Sequence, residues 1–210
     1  MPDEQALQHG RPTAGEDRSV RRKIIDTSAD LMYRQGVGPT TLDDVVTASG
    51  TTRGLLDRHF EDKNALVAQV VATQIRRVID EQISDIGRLS SLDDLRTWRD
   101  RVVADTRRRH GAHGCPLGSL AMELAEHSEP SRRALAAAFE VWESEFGACL
   151  RRMRGRGLLD VDADVDALAV GLMAALQGGL IVARVTRDAD DLALSLDAAL
   201  SRIQAHSATS

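Results

Sequence analysis

The stretch SGTTRGLLDRHFEDKNAL, residues 49–66, gathers Arg53, Arg58, His59 and Lys63 within little more than three helical turns. Guanidinium and ammonium groups at that density bind anions. An Arg can also offer a two-pronged fork to a guanine edge, a contact that discriminates between bases by about 1–3 kcal/mol. Thr52 and Arg53 stand where a short helix starts, and Gly54, before Leu55, has no side chain to keep the backbone from a partner surface. Thr41, Arg58, His59 and Lys63 are placed to grip phosphates around that helix. Lys63 also heads the next helix, where free N–H groups and the dipole favour an anion. Asp57 has the wrong sign for such a surface, unless it pairs with Arg53 or Arg58 at helical spacing and orients a guanidinium.

A second cluster, HGAHGCPLG at residues 110–118, brings Cys115 close to His110 and His113. Three readings stand side by side. A Cys at a helix N-terminus near histidines has a lowered thiol pKa and reacts with electrophiles. Two His and one Cys offer N, N and S ligands to a metal, but no fourth ligand is spaced for it. A small buried Cys can also simply cap a turn. An enzyme would need an oriented base and an oxyanion site as well, and no Asp or Asn marks the orienter. The chain is therefore expected to be no enzyme and to carry no cofactor.

These residues must be held by a helical frame. Aromatic residues make up only 3% of the 210, and the abundance of Ala, Leu, Arg and Asp favours helix. Lys and Arg number 27 against 32 Asp and Glu, which does not suggest a general nucleic-acid coat but leaves room for a local basic patch. Residues 1–17 are polar and read as a disordered arm. Cys115 and Cys149 read as free thiols of a cytoplasmic protein. The apolar run at residues 167–183 contains Gln177 and falls short of the roughly 20 residues a membrane span needs, so it reads as a buried helix with no membrane partner.

Helical periodicity covers residues 18–35, ended by Gly36, then a short helix capped by Thr41. Gly50 turns the chain into a third short helix from Thr52. A long fourth helix from Asp62 carries an apolar stripe that includes Val70, Ile75 and Ile79. Further helices are expected at residues 91–103, at 116–125 with Pro116 in the first turn, and at 131–154, 167–183 and 189–205. The basic runs RRRH, 107–110, and RRMRGR, 151–156, read as solvated helix ends. No strand pattern occurs, so the fold is all-α with about nine helices, opening on a helix-turn-helix.

The segments ADLMYRQG, TTLDDV, ASGTTRG, LDRHF and DK, all within residues 20–70, resemble the DNA-binding domain of TetR-type transcriptional repressors. The resemblance implies that the third helix enters the major groove. Thr52, Arg53, Gly54 and Leu55 would then meet bases, and Thr41, His59 and Lys63 the backbone. Asp57 departs from the pattern, which usually has Tyr there, and Thr51 departs more mildly. Asp57 either orients an Arg, or weakens the grip so that binding needs a good operator, or marks a protein-interaction or thiol-sensing module that keeps the fold without specific DNA binding. The resemblance divides the chain into a reading domain, 18–65, and a ligand-binding and dimerisation domain, 66–210. It implies a homodimer, built on the helices at 167–183 and 189–205, that reads a palindromic operator in double-stranded DNA. A small hydrophobic or electrophilic effector would release it by moving the fourth helix, with Ile75 and Ile79 in the pocket wall. The candidate effector contacts are Trp98, Cys115, Met122, Phe139, Trp142, Phe146 and Gln177. GCPLGSLAME, residues 114–123, resembles the start of the sixth helix in a branch of the family that includes sensors of electrophiles.

Overall fold

The computed structural model describes residues 14–207, apart from the side chains of Ala14 and Ile83. These residues form nine helices: α1 Ala14–Gln35, α2 Leu42–Ser49, α3 Arg53–His59, α4 Lys63–Ile86, α5 Leu92–Arg108, α6 Pro116–Leu124, α7 Glu129–Gly155, α8 Val165–Thr186 and α9 Asp190–Gln204. No strand occurs among them beyond an isolated bridge between Leu159 and Ser207. Residues 14–17 are the first turn of α1 rather than part of a polar arm, and residues 1–13 lie outside those described.

Local chemistry sets the first three helices. Gly36, at φ +96°, ends α1 in a conformation that costs other residues a steric clash. Thr41 starts α2 with a reciprocal cap: its hydroxyl accepts from the Asp44 N–H at 3.1 Å, and the Asp44 carboxylate accepts from the Thr41 N–H at 2.8 Å. Gly50, at φ +61°, closes α2, and the Thr52 hydroxyl caps α3 by accepting from the Leu55 N–H.

Two cores result. Ile24, Ile25, Val45, Leu56, Phe60 and Leu66 make the small one, which fixes α3 against α1 and α2. The large one joins the remaining helices, and it also takes Ala29 and Met32 of α1 and Val67 and Val70 of α4. Both α1 and α4 therefore run through both cores. A boundary at residue 65 falls inside α4, with Leu66 still in the small core.

α8 is long and apolar enough to cross a membrane, yet it packs between α7 and α9. Leu168, Leu172, Leu176 and Leu180 form its buried face, each contributing about 1.5–3 kcal/mol by leaving water. Gly179 lets α9 approach, since a Cβ there would stand 2.8 Å from Leu192, while a Cβ on Gly178 would meet open space.

The basic helix ends are not merely solvated. Arg152 donates to the carbonyls of Gly87 and Leu89 at 3.0 and 2.9 Å, pinning the C-terminus of α4 to α7. Arg154 donates to the Ala163 carbonyl, and Arg107 pairs with Asp190 of α9.

Candidate nucleic-acid interface and ligand cavity

At the N-terminus of α3, Thr52, Arg53 and Gly54 are exposed and Leu55 is half-buried. A Cβ on Gly54 would meet nothing within 4 Å, so the backbone there is open to a partner. The Arg53 side chain, 53% exposed, donates from Nε to the Asp57 carboxylate at 2.9 Å and from Nη1 to Asp43 of α2 at 3.1 Å. Of the two pairings open to Asp57, the fold makes the one with Arg53. The guanidinium is held from two helices and its charge is favoured by both carboxylates.

The residues behind this edge sit differently from expectation. Arg58 turns to α1 and pairs with Asp17 at 2.8 Å. The His59 side chain is only 6% exposed, 3.7 Å from the same carboxylate, which takes its ring away from any phosphate outside. The Thr41 hydroxyl is committed to Asp44 as donor and acceptor. Lys63, at the first position of α4, donates to the Gly38 carbonyl at 3.1 Å. An ammonium has three donors, so this bond leaves two for an anion.

A cavity of about 550 Å³ lies in the bundle, with Val78, Val102, Trp142, Leu176 and Leu180 among its apolar lining. Asp85, Arg101, Asp105 and Arg109 add charges, and Asp85 pairs with Arg101 at 3.3 Å. Tyr33 of α1 reaches this cavity: its hydroxyl donates to the Gly114 carbonyl at 2.8 Å and accepts from Arg109 at 3.1 Å. A smaller cavity of about 340 Å³ lies between α6 and α8, lined by Met122, Gln177, Ile181 and Val185, and shares Gly114, Cys115 and Leu180 with the first.

Among the sequence candidates, Trp142 and Cys115 line the larger cavity, and Cys115, Met122 and Gln177 line the smaller. Trp98 and Phe146 do not line either: they pack edge to face, 5.2 Å apart, in the closed core. Phe139 stacks on Trp142 without reaching either cavity. Ile75 and Ile79 pack against the large core, and Val78 is the neighbour that lines the cavity. Cys115 caps α6 with its sulfur, which accepts from the Gly118 N–H at 3.4 Å. Burial pushes its pKa up, against the lowered value its helix position suggested. The His113 pKa is lowered by burial and by nearby arginines, led by Arg184, so it supplies no cation to the thiol. Among the described residues no group of three or more His, Cys, Asp or Glu could hold a metal, so His110, His113 and Cys115 do not assemble one.

Residues 24–70 match the family model for bacterial regulatory proteins of the tetR family. Residues 91–196, half the chain, match the C-terminal domain of LmrA/YxaF-like transcriptional regulators. The chain belongs to the TetR family. This TetR-family regulator is 25% identical over 176 residues to the transcriptional repressor DhaR of Mycobacterium sp. strain GP1, covering 82% of this chain and 86% of DhaR. It is 23% identical to the transcriptional regulator LmrA of Bacillus subtilis, over 82% of this chain and 90% of LmrA. A TetR transcriptional regulator from Chloroflexus aurantiacus has the same fold, with a TM-score of 0.81 at 20% identity, over 93% of this chain and all of that one.

In this regulator one joint escaped the sequence reading. The Glu123 carboxylate on α6 accepts from the backbone N–H groups of Val37 at 2.7 Å and Gly38 at 3.2 Å, in the turn between α1 and α2. The motif GCPLGSLAME ends on this residue, and nothing in its neighbours marks the contact. A helix-borne Glu near a break looks like any solvated carboxylate until the turn 86 residues away is seen beside it.

Proposed function

We propose that the chain is a homodimeric repressor that reads a palindromic operator and leaves it when a small, mainly apolar molecule enters the larger cavity. The observation that carries this is α6. It starts in the cavity wall at Cys115 and Pro116 and ends one residue after Glu123, which holds the turn at Val37 and Gly38. The Gly38 carbonyl in turn accepts from Lys63 at the head of α4. A shift of one short helix thus reaches the groups that face DNA, and a coupling of about 1–3 kcal/mol is enough for a switch. α4 supplies a second path, through Val78.

Thr52, Arg53, Gly54 and Leu55 would meet bases, and Lys63 the backbone. Trp142 and Cys115 would meet the effector, with Met122 and Gln177 in the adjoining cavity. The raised thiol pKa favours reversible binding over reaction with an electrophile. The dimer face would be the exposed stripe of α8, Val170, Ala174, Gly178, Ile181, Val182 and Val185, with Leu194 of α9. Two reading helices held about 34–36 Å apart would read a palindrome. Such a protein works in the cytoplasm.

The test is a selection of binding sites from random duplexes, followed by titration over a salt series. The expected result is an enriched palindrome with log K falling by about 0.9 per phosphate contacted per unit log salt. A selection that enriches no sequence would sink the reading.

A further inference from the structure

A groove of about 490 Å³ runs between α1 and α4, away from the effector cavity. Its lining includes Arg18, Arg21 and Arg22 on one side and Arg76 and Arg77 on the other. Two carboxylates, Asp26 and Asp80, accompany these five cations. Arg77 is consumed within the fold, pairing with Asp26 at 2.8 Å and Asp30 at 3.3 Å. The other four have no carboxylate within ion-pair distance among the described residues. Arg21 donates to Gln69 and lies 5.5 Å above the Phe60 ring, and Arg76 donates to the Thr73 hydroxyl and the Ala72 carbonyl.

Elsewhere many arginines of this acidic chain are ion-paired, as Arg96 with Asp93, Arg99 with Asp197 and Arg132 with Glu129. Others, such as Arg152, Arg154 and Arg184, bond carbonyl or hydroxyl oxygens singly rather than gathering in one groove. A groove that gathers four guanidinium groups with no carboxylate partner among the described residues, in a chain of net charge -5, makes a local positive field that draws anions. The spacing suits more than one anionic group. Arg18 and Arg22 are one turn apart on α1, and the α4 side runs from Gln69 to Asp80, about 16 Å at 1.5 Å per residue. Planar guanidinium forks match the oxygens of a phosphoryl group.

We propose that this groove binds a phosphate-bearing anion with two or more phosphoryl groups. The lower end of the groove adjoins the reading helix, since Phe60 caps α3 and Asp17, one turn before Arg21, holds Arg58. The phosphates can therefore come from the DNA backbone beside the operator or from a soluble polyphosphate ligand.

The experiment compares the full-length protein with the triple variant Arg18→Gln, Arg22→Gln, Arg76→Gln. These side chains are exposed and make no ion pair among the described residues, so the fold is expected to be kept, which circular dichroism checks. Each protein is titrated calorimetrically with inorganic tripolyphosphate at low ionic strength. Each is also titrated over a salt series with a duplex trimmed to the binding site and the same duplex extended at both ends. A loss of about tenfold or more in tripolyphosphate affinity, with duplex binding unchanged, supports a soluble ligand. A salt slope that drops by about 0.9 per lost contact on the extended duplex alone supports the flanking backbone. If the variant matches the wild type in both arms, the proposal is overturned. Should no operator exist, an unrelated duplex serves the second arm, so failure of the repressor reading and failure of the groove are told apart.

Discussion

Asp57 lies one helical turn from Arg53, on a face that would meet a polyanion, and its charge alone would weaken binding. Its bond to Arg53 gives it a different task. A long, flexible side chain loses entropy when it docks on a base edge, and a guanidinium already tethered by Asp57 and Asp43 has lost part of it beforehand. Asp57→Asn should therefore raise affinity for unrelated DNA while cutting discrimination at the base Arg53 reads, by about 1–3 kcal/mol. Titration against a selected site and its single-base variants measures both, and an unchanged ratio would remove the orienting role. The thiols give a second prediction at this scale. Cys115 and Cys149 are buried, and burial pushes Cys149 from 9.0 to about 11. Labelling of Cys149 in the native protein at pH 8 should run about a hundredfold slower than in the unfolded chain, and Cys115 should be slowed as well. The native state holds these protons more tightly than the unfolded one, so stability is full below pH 9 and declines as pH rises through about 11. A melting temperature that does not fall across that window would contradict the burial.

Among the elements, α6 is short but joins two regions. Its nine residues separate the Cys115 cap from the turn that Glu123 holds. Glu123→Ala would leave the Val37 and Gly38 N–H groups without their acceptor, a loss of about 1.5–3 kcal/mol for bonds to a charged group. Exchange of those two amides should speed up by about tenfold or more, and DNA affinity should fall, with the rest of the bundle unaffected. Amide exchange read residue by residue decides this, and unaltered rates at Val37 and Gly38 would exclude the clamp. α4 is fixed at both ends, by Lys63 on the Gly38 carbonyl and by Arg152 on the carbonyls after Ile86. A helix held at its ends moves as a rod, which suits a part that spans both cores.

Over the whole molecule, the exposed apolar stripe of α8 calls for a cover. Val185 is 79% exposed, and Leu194 of α9, at 67%, adds to the apolar surface. Patches of this kind on a soluble protein mark interaction surfaces. The double variant Val182→Glu, Val185→Glu should be monomeric in sedimentation and should bind a palindrome no more tightly than a single half-site. A variant that stays dimeric would move the interface to another face.

Much of this architecture is local chemistry and is legible in the chain. The caps at Thr41, Thr52 and Ser91, the stops at Gly36 and Gly50, and Pro116 at the head of α6 act within a few residues, so composition and spacing reveal them. The motifs around α3 likewise point to the family before any contact is known. The partners of each side chain are another matter. Periodicity tells which face of a helix is apolar but not what lies opposite. That is why Trp98 and Phe146 looked as eligible for the cavity as Trp142, and why His59 looked free when it lies beneath Asp17. The same holds for Cys115, whose place at a helix start argued for a thiolate until burial outweighed it. Local signals thus announce the helices and many of their caps, but not that α1 begins at Ala14 or that α5 runs on to Arg108. Which charges are paired, how deeply the thiols are covered and the bond of Glu123 from the cavity wall to the α1–α2 turn depend on distances between residues far apart in the chain, and no local signal carries those.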